Sequence, residues 1–176
     1  MPIDNDILEE YHALRQELDE HCAKLYTLHA AHLKCKAGCD MCCMDFSVLP
    51  IEYHAIKEQA GEDLKKGMVP ASEGECPFLV NHRCVIYNAR PTICRTQGLP
   101  LLFMGEENWE LSACELNFTG FDYGEFTEEN TFPQDRYNSR LYMLNLKFIE
   151  SLPGRPYEPD QLIPLKRLFE QTCPKD

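Results

Sequence analysis

The chain contains no run of about 18 apolar residues, so no segment of it reads as a transmembrane helix. Its first ten residues are acidic where a secretion signal would be basic and then apolar, which points to a cytoplasmic protein. Clusters of Lys and Arg are also missing, and nothing offsets the formal net charge of −12. Such a surface repels nucleic acid and anionic lipid, so neither is expected as a partner. The acidic residues concentrate in a loop around Asp122 to Glu129. There is no internal repeat and no low-complexity segment. What remains is 176 residues with a 44% apolar fraction, enough for one domain with its own core.

Helical spacing dominates both ends. Ile7, Tyr11, Leu14, Leu18, His21, Leu25, Leu28 and His32 alternate four and three apart, a narrow seam on one face of a long N-terminal helix over 1–33. Asp4 or Asn5 can cap it. The seam suits packing against later helices of the same chain, with self-association through this helix as the alternative. A second helix is expected over 50–66, opened by Pro50 and closed by Gly67. Tyr137, Leu141, Leu144 and Phe148 predict a helix over 133–151. Pro153, Pro156 and Pro159 mark a rigid connector. A last helix over 161–171 carries Leu162, Leu165, Leu168 and Phe169.

Between these ends the pattern changes. Short apolar runs flank Asn81-His82, which predicts a small hairpin that draws Cys76 and Cys84 together. A turn and a short helical segment follow over 88–95. A second hairpin is expected over 99–112, turning at Gly105 to Asn108. The fold class is therefore mostly α: a single small helical domain with short β hairpins around a cysteine-rich centre. We divide it into the N-terminal helix, a cysteine-cluster core over 34–115 and a C-terminal helical part over 116–176.

Ten cysteines occupy this chain, and seven of them lie between positions 35 and 94. Four are packed into nine residues as Cys35-x3-Cys39-x2-Cys42-Cys43, followed by Cys76, Cys84, Cys94 and then Cys114. Thiols stay reduced in the cytoplasm, so this density points to metal rather than to disulfides. Clustered thiolates are soft ligands that select zinc, Cu(I) or iron–sulfur. Gly38 permits the tight turn such a ligand loop needs. Zinc would take four of these residues in a tetrahedron, and a [4Fe–4S] cluster would also take four. The metal-ligand set expected is Cys35, Cys39, Cys42, Cys43, Cys76, Cys84, Cys94 and Cys114, with Cys114 open between an eighth ligand and a core thiol. Adjacent side chains diverge, so eight thiolates could complete two sites, with Cys42 and Cys43 serving different ones. One cluster with spare structural cysteines is equally allowed. Vicinal cysteines, Cys76-Pro77 and the surplus over four favour iron–sulfur slightly over zinc.

Other residues enter with two readings each. His32 and His82 are secondary ligand candidates, or a packing position and a solvated turn residue. Arg90 and Arg95 flank Cys94 and can donate hydrogen bonds to cluster sulfurs while offsetting thiolate charge, or form ordinary ion pairs. Cys22 reads as packing, one position off the seam. Cys173 reads as a free thiol in the tail.

Three ordered blocks carry a family resemblance: Cys35-x3-Cys39-x2-Cys42-Cys43, then Cys76-Pro77-Phe78-Leu79, then the run from Cys84 through Arg90-Pro91-Thr92-Ile93-Cys94 to Arg95. Together they resemble the CxxCxxCC family of zinc- or iron-chelating proteins, over about residues 32 to 96. The resemblance implies metal chelation and no settled activity. Larger proteins with a similar block look like flagellin lysine N-methylases, but no strand followed by a Gly-rich loop supplies a methyl-donor site here. The alternatives to a metal-binding protein without catalysis are thus an iron–sulfur-dependent protein-modifying enzyme and a thiol or metal redox sensor.

Overall fold

The computed structural model describes residues 5–61, 64, 72 and 74–172. Chain order runs α1 (Asn5–Leu28), β1 (Ser47–Val48), α2 (Pro50–Ala60), β2 (Leu79–Val80), β3 (Arg83–Cys84), a 3₁₀ turn (Tyr87–Ala89), α3 (Thr92–Arg95), β4 (Leu101–Met104), β5 (Trp109–Ser112), a second 3₁₀ turn (Tyr123–Glu125), β6 (Phe132–Pro133), α4 (Gln134–Ser151), β7 (Ile163–Pro164) and α5 (Lys166–Thr172). The strands are short and form three small antiparallel or mixed patches: β1 with β7, β2 with β3, and β5-β4-β6. Among the described residues the result is a mixed arrangement of five α-helices and short strands.

The seam of α1 packs inside the chain. Ile7, Leu8, Tyr11, Leu14, Leu18, Cys22 and Leu25 are buried with Tyr137, Leu141, Leu144 and Phe148 of α4 and with Ile51 and Ala55 of α2. The exposed rims are joined by Glu17 to Arg140 at 2.7 Å and Glu10 to Lys147 at 2.7 Å, pairs that add little on a solvated face. The seam departs from expectation at its far end. Cys22 and His29 are buried, whereas Leu28 is 61% exposed and the helix stops there rather than at residue 33. A strict heptad drifts about 20° per repeat on a straight helix, so positions 21 and 28 rotate off the face and 22 and 29 rotate in. The cap expected from Asp4 or Asn5 lies outside the described side chains.

A second core gathers Tyr53, Ile56 and Ala60 of α2 with Val48, Phe78, Ile86, Ala89, Ile163, Leu165 and Leu168, and Cys76 and Cys84 pack against it. Helix α2 therefore serves both cores, burying Ile51 and Ala55 on one side and Ile56 and Ala60 on the other. It ends at Ala60, earlier than the expected residue 66, because Gly61 adopts a positive φ of 37°. Gly67, the expected stop, lies outside the described residues. Asn145 on α4 is fully buried and braces this junction, accepting from Ile51 N at 3.2 Å and donating to Pro159 O at 3.3 Å. The last helix also begins later than its apolar spacing predicts. Ile163 pairs with Val48, and Leu165 N donates to Phe46 O at 2.9 Å, so α5 starts only at Lys166 and Leu162 is left exposed.

Glu52 is buried on α2, and its Oε1 accepts from Thr92 N at 2.8 Å. Burial holds its carboxyl above the usual range, outweighing the opposite pull of Thr92 and Arg95. A folded-state pKa above the unfolded one gives stability that is complete below the unfolded value, about 4.3, and is lost as pH rises through the folded value. Glu52→Gln keeps the acceptor for Thr92 and removes the titration. The variant should gain stability over the parent between about pH 5 and about pH 8, measured by thermal unfolding. A variant that is the less stable of the two at the upper pH would show that the carboxylate charge is needed there.

Candidate metal centre

The first four cysteines sit on two consecutive tight turns. Cys39 N donates to Lys36 O at 3.0 Å, around Gly38 at φ 90°, and Cys43 N donates to Asp40 O at 2.8 Å. The positive φ is why glycine stands at position 38. Beyond Cys43 the chain pairs with the segment that leads into Cys76, through the Met44–Glu75 bridge and Asp45 N donating to Gly74 O at 3.1 Å. The hairpin expected at Asn81-His82 is present. Both turn residues are left-handed, at φ 48° and 61°, as a two-residue turn between right-twisted strands requires. Leu79 pairs with Cys84, and Leu79 N donates to Cys76 O at 3.2 Å, so Cys76 and Cys84 lie at the base of one hairpin. Its tip is pinned to the cysteine turns by His82 Nδ1, which donates to Asp40 Oδ2 at 2.7 Å.

Asn117 joins the other side, and only its position three residues after Cys114 marks it in the sequence. It is 2% exposed. Its Oδ1 accepts from Lys34 N at 2.7 Å, and its Nδ2 donates to Gly98 O at 2.7 Å and to Cys35 Sγ at 3.3 Å. Its own N donates to Cys114 O at 2.9 Å. One buried amide thus links the segments that carry Cys35 and Cys114. Gly98 makes room for this arrangement: at φ +91°, a Cβ added there would meet Cys35 Sγ at 2.7 Å. Gly98→Ala should therefore cost about 1–2 kcal/mol in chemical denaturation, from backbone strain plus displacement of the thiol. A cost below a few tenths would show that the turn relaxes freely.

The electrostatics report which thiols are neighbours. Burial raises the Cys42 thiol above its usual range, and Cys35, Cys39 and Cys114 raise it further. Cys43 is pushed up to about 12, first by burial and then by Cys42, Cys76, Cys84 and Asp40. Cys94 is raised by burial and then by Cys76, Cys84 and Cys43, while the Arg90 guanidinium acts against them. Cys76 is raised by burial and by Cys84. Cys84 is raised by burial, with Arg90 again lowering it. The nine described cysteines are all free thiols. Among the described residues, no three Cys, His, Asp or Glu side chains are gathered tightly enough to grip one ion as they stand.

The donor chemistry nevertheless fits a soft metal. Seven of the eight candidate cysteines are half-buried free thiols and Cys35 is exposed, and at Cys43, Cys76 and Cys94 the neighbouring thiols add to the effect of burial. A bound cation would relieve that mutual repulsion and replace protons as the sulfurs' partner. Among the other candidates, Cys22 is a core thiol whose burial pushes it up to about 12. Cys173 lies outside the described residues. His32 packs between Phe118 and Phe121, with ring centroids 6.2 and 4.8 Å away. Arg90 stacks 3.7 Å over the Tyr87 ring and donates to Cys94 O at 3.3 Å. Arg95 is directed at Asp19 and at the carbonyls of Asn88 and Arg90.

No helix among the described residues is long and apolar enough to cross a membrane. No curated protein and no solved structure matches the chain. Residues 34–115 match the model of the CxxCxxCC family, described as "Putative zinc- or iron-chelating domain". That match begins one residue before Cys35 and ends one residue after Cys114, so it spans all eight candidate thiols. Over residues 34–115, just under half of the chain, this protein is therefore similar to the CxxCxxCC domains, a family described as zinc- or iron-chelating.

Proposed function

We propose that this protein is a cytoplasmic metal-binding protein whose thiolates Cys35, Cys39, Cys42, Cys43, Cys76, Cys84, Cys94 and Cys114 hold iron–sulfur or zinc, with iron–sulfur favoured. The observation that carries this reading is the match of residues 34–115 to a family described as zinc- or iron-chelating, a stretch that holds all eight of these cysteines. More than four thiolates, the Cys42-Cys43 pair and Cys76-Pro77 favour iron–sulfur. Bound metal would neutralise and crosslink a segment that has little regular structure of its own. Arg90 would then offset part of the thiolate charge beside Cys84 and Cys94. Helices α1, α4 and α5 would be the scaffold of a single domain with 34–115 at its centre.

Anaerobic purification, followed by iron, zinc and acid-labile sulfide determination and a visible spectrum, tests this reading. A brown protein with stoichiometric iron and sulfide is the expected result. A colourless protein with stoichiometric zinc would replace the metal but keep the thiolate site. A protein with neither would overturn the proposal.

A further inference from the structure

The β4–β5 hairpin leaves an edge, an apolar face and a charge uncovered together. Strand order β5-β4-β6 puts β5 outermost, and Gly105 N donates to Asn108 O at 2.9 Å. Counting back from that bond through the register makes Phe103–Glu110 and Leu101–Ser112 the hydrogen-bonded pairs. The N–H and C=O groups of Trp109 and Leu111 therefore point away from β4, and among the described residues nothing bonds to them. Leu101 packs on the first core, so alternation turns Leu102 and Met104 to the other face with their cross-strand partners Leu111 and Trp109. None of these four belongs to either core, and Met104 and Trp109 are 50% and 58% exposed. Residues 96–135 contain nine Asp and Glu and no Lys, Arg or His, so they carry nine of the twelve net negative charges of the chain. Glu106, Glu107 and Glu110 of this hairpin are exposed and have no ion-pair partner among the described residues.

From this placement we infer that β5 is a docking edge for a partner protein, which adds an extended strand with Lys or Arg alternating with apolar residues. The free backbone groups of Trp109 and Leu111 continue the ladder into that strand, the usual source of affinity when a segment joins a sheet edge. Its apolar side chains extend the face of Leu102, Met104, Trp109 and Leu111. Its cations meet Glu106, Glu107 and Glu110, and opposite charges paired across strands are favourable. The charge also selects the occupant. A second copy of this chain would set glutamates against glutamates, and like charges directly opposite are destabilising. The acidic side chains thus close the edge to its own kind, as charged residues do on exposed edges, while leaving it open to a basic strand. Strand β5 ends two residues before Cys114, so a docked partner joins the chain close to a candidate metal ligand. The inference stands apart from the identity of the metal.

The chain has a single tryptophan, Trp109, so its fluorescence reads this surface directly. The probe is a capped peptide of alternating Lys and Val, long enough to pair with all of β5, added to anaerobically purified full-length protein. A saturable blue shift of Trp109 emission is expected, with matching heat in calorimetry. Changing Glu106→Gln, Glu107→Gln and Glu110→Gln together should weaken binding about tenfold, and added salt should weaken it as well. The three side chains are exposed, so this variant should melt with the parent. The same peptide N-methylated at alternate residues loses its ladder donors and should bind about tenfold more weakly. N-methylated peptide that binds equally well would leave charge attraction alone and overturn strand pairing. Emission unmoved by the Lys-Val peptide, or moved equally by a Glu-Val peptide, would overturn the docking edge. Emission already blue-shifted in the free monomer would show that the chain covers this face itself. A dimer that Trp109→Ser makes monomeric would assign the edge to a second copy instead. None of these outcomes bears on thiolate metal binding.

Discussion

A strong chelator should lower the melting temperature of this protein by roughly 10–20 °C and loosen residues 34–46 and 74–95 before it loosens α1 and α4. The magnitude follows from metal binding energy serving as folding energy. Losing even about 5 kcal/mol of it moves the midpoint of a domain of this size by that much. The location follows from the local structure. The cysteine segment consists of turns, and β2 and β3 have two residues each. A hairpin that short is not stable in water without a partner. By contrast, α1 and α4 share a core of large buried side chains that includes Tyr11, Leu18 and Phe148. Hydrogen exchange in the metal-loaded and stripped protein would resolve the two regions. Unchanged circular dichroism, melting temperature and exchange after complete metal removal would contradict the coupling.

Arg95→Ala should cost about 2–4 kcal/mol in urea unfolding, the largest effect expected from a residue outside the cysteines. The Arg95 side chain is 8% exposed. It donates to Asp19 at 2.7 and 2.9 Å, to Arg90 O at 2.7 Å and to Asn88 O at 2.6 Å. It therefore fastens the 3₁₀ turn and α3, which carries Cys94, to α1. Asp19 is about half exposed and can return to water, so the ion pair itself contributes less than the two carbonyls left without a donor. Arg95→Lys should recover only part of the loss, because one ammonium cannot serve three acceptors in that fork. The folded fraction of Arg95→Ala should keep the parent's metal-to-protein ratio, which separates bracing from a direct bond to cluster sulfur. A cost below about 0.5 kcal/mol would contradict the bracing role.

The elements written in local periodicity were legible in the sequence. Helix α4 follows from Tyr137, Leu141, Leu144 and Phe148, which are all buried together. The hairpin at Asn81-His82 follows from two short apolar runs and a two-residue turn, and the second hairpin from the Gly105 to Asn108 loop. Features set by distant partners were not legible. Nothing near Ile163 announces that Val48 will pair with it and delay α5. The late turn of α1 follows straight-helix geometry, which a heptad reading misses. The candidate thiols were legible as types in a pattern, because cysteine density needs no tertiary information. The contacts around them were not, because these depend on Asn117, on the Met44–Glu75 bridge and on the register of β2 with β3.

X-ray absorption at the edge of the bound metal, on anaerobically purified full-length protein, tests the central claim most directly. Thiolate ligation predicts a first coordination shell made of sulfur alone, at about 2.3 Å for zinc or with the added iron–iron scattering of a cluster. A shell of nitrogen or oxygen at about 2.0–2.2 Å would contradict it and place the metal elsewhere in the chain.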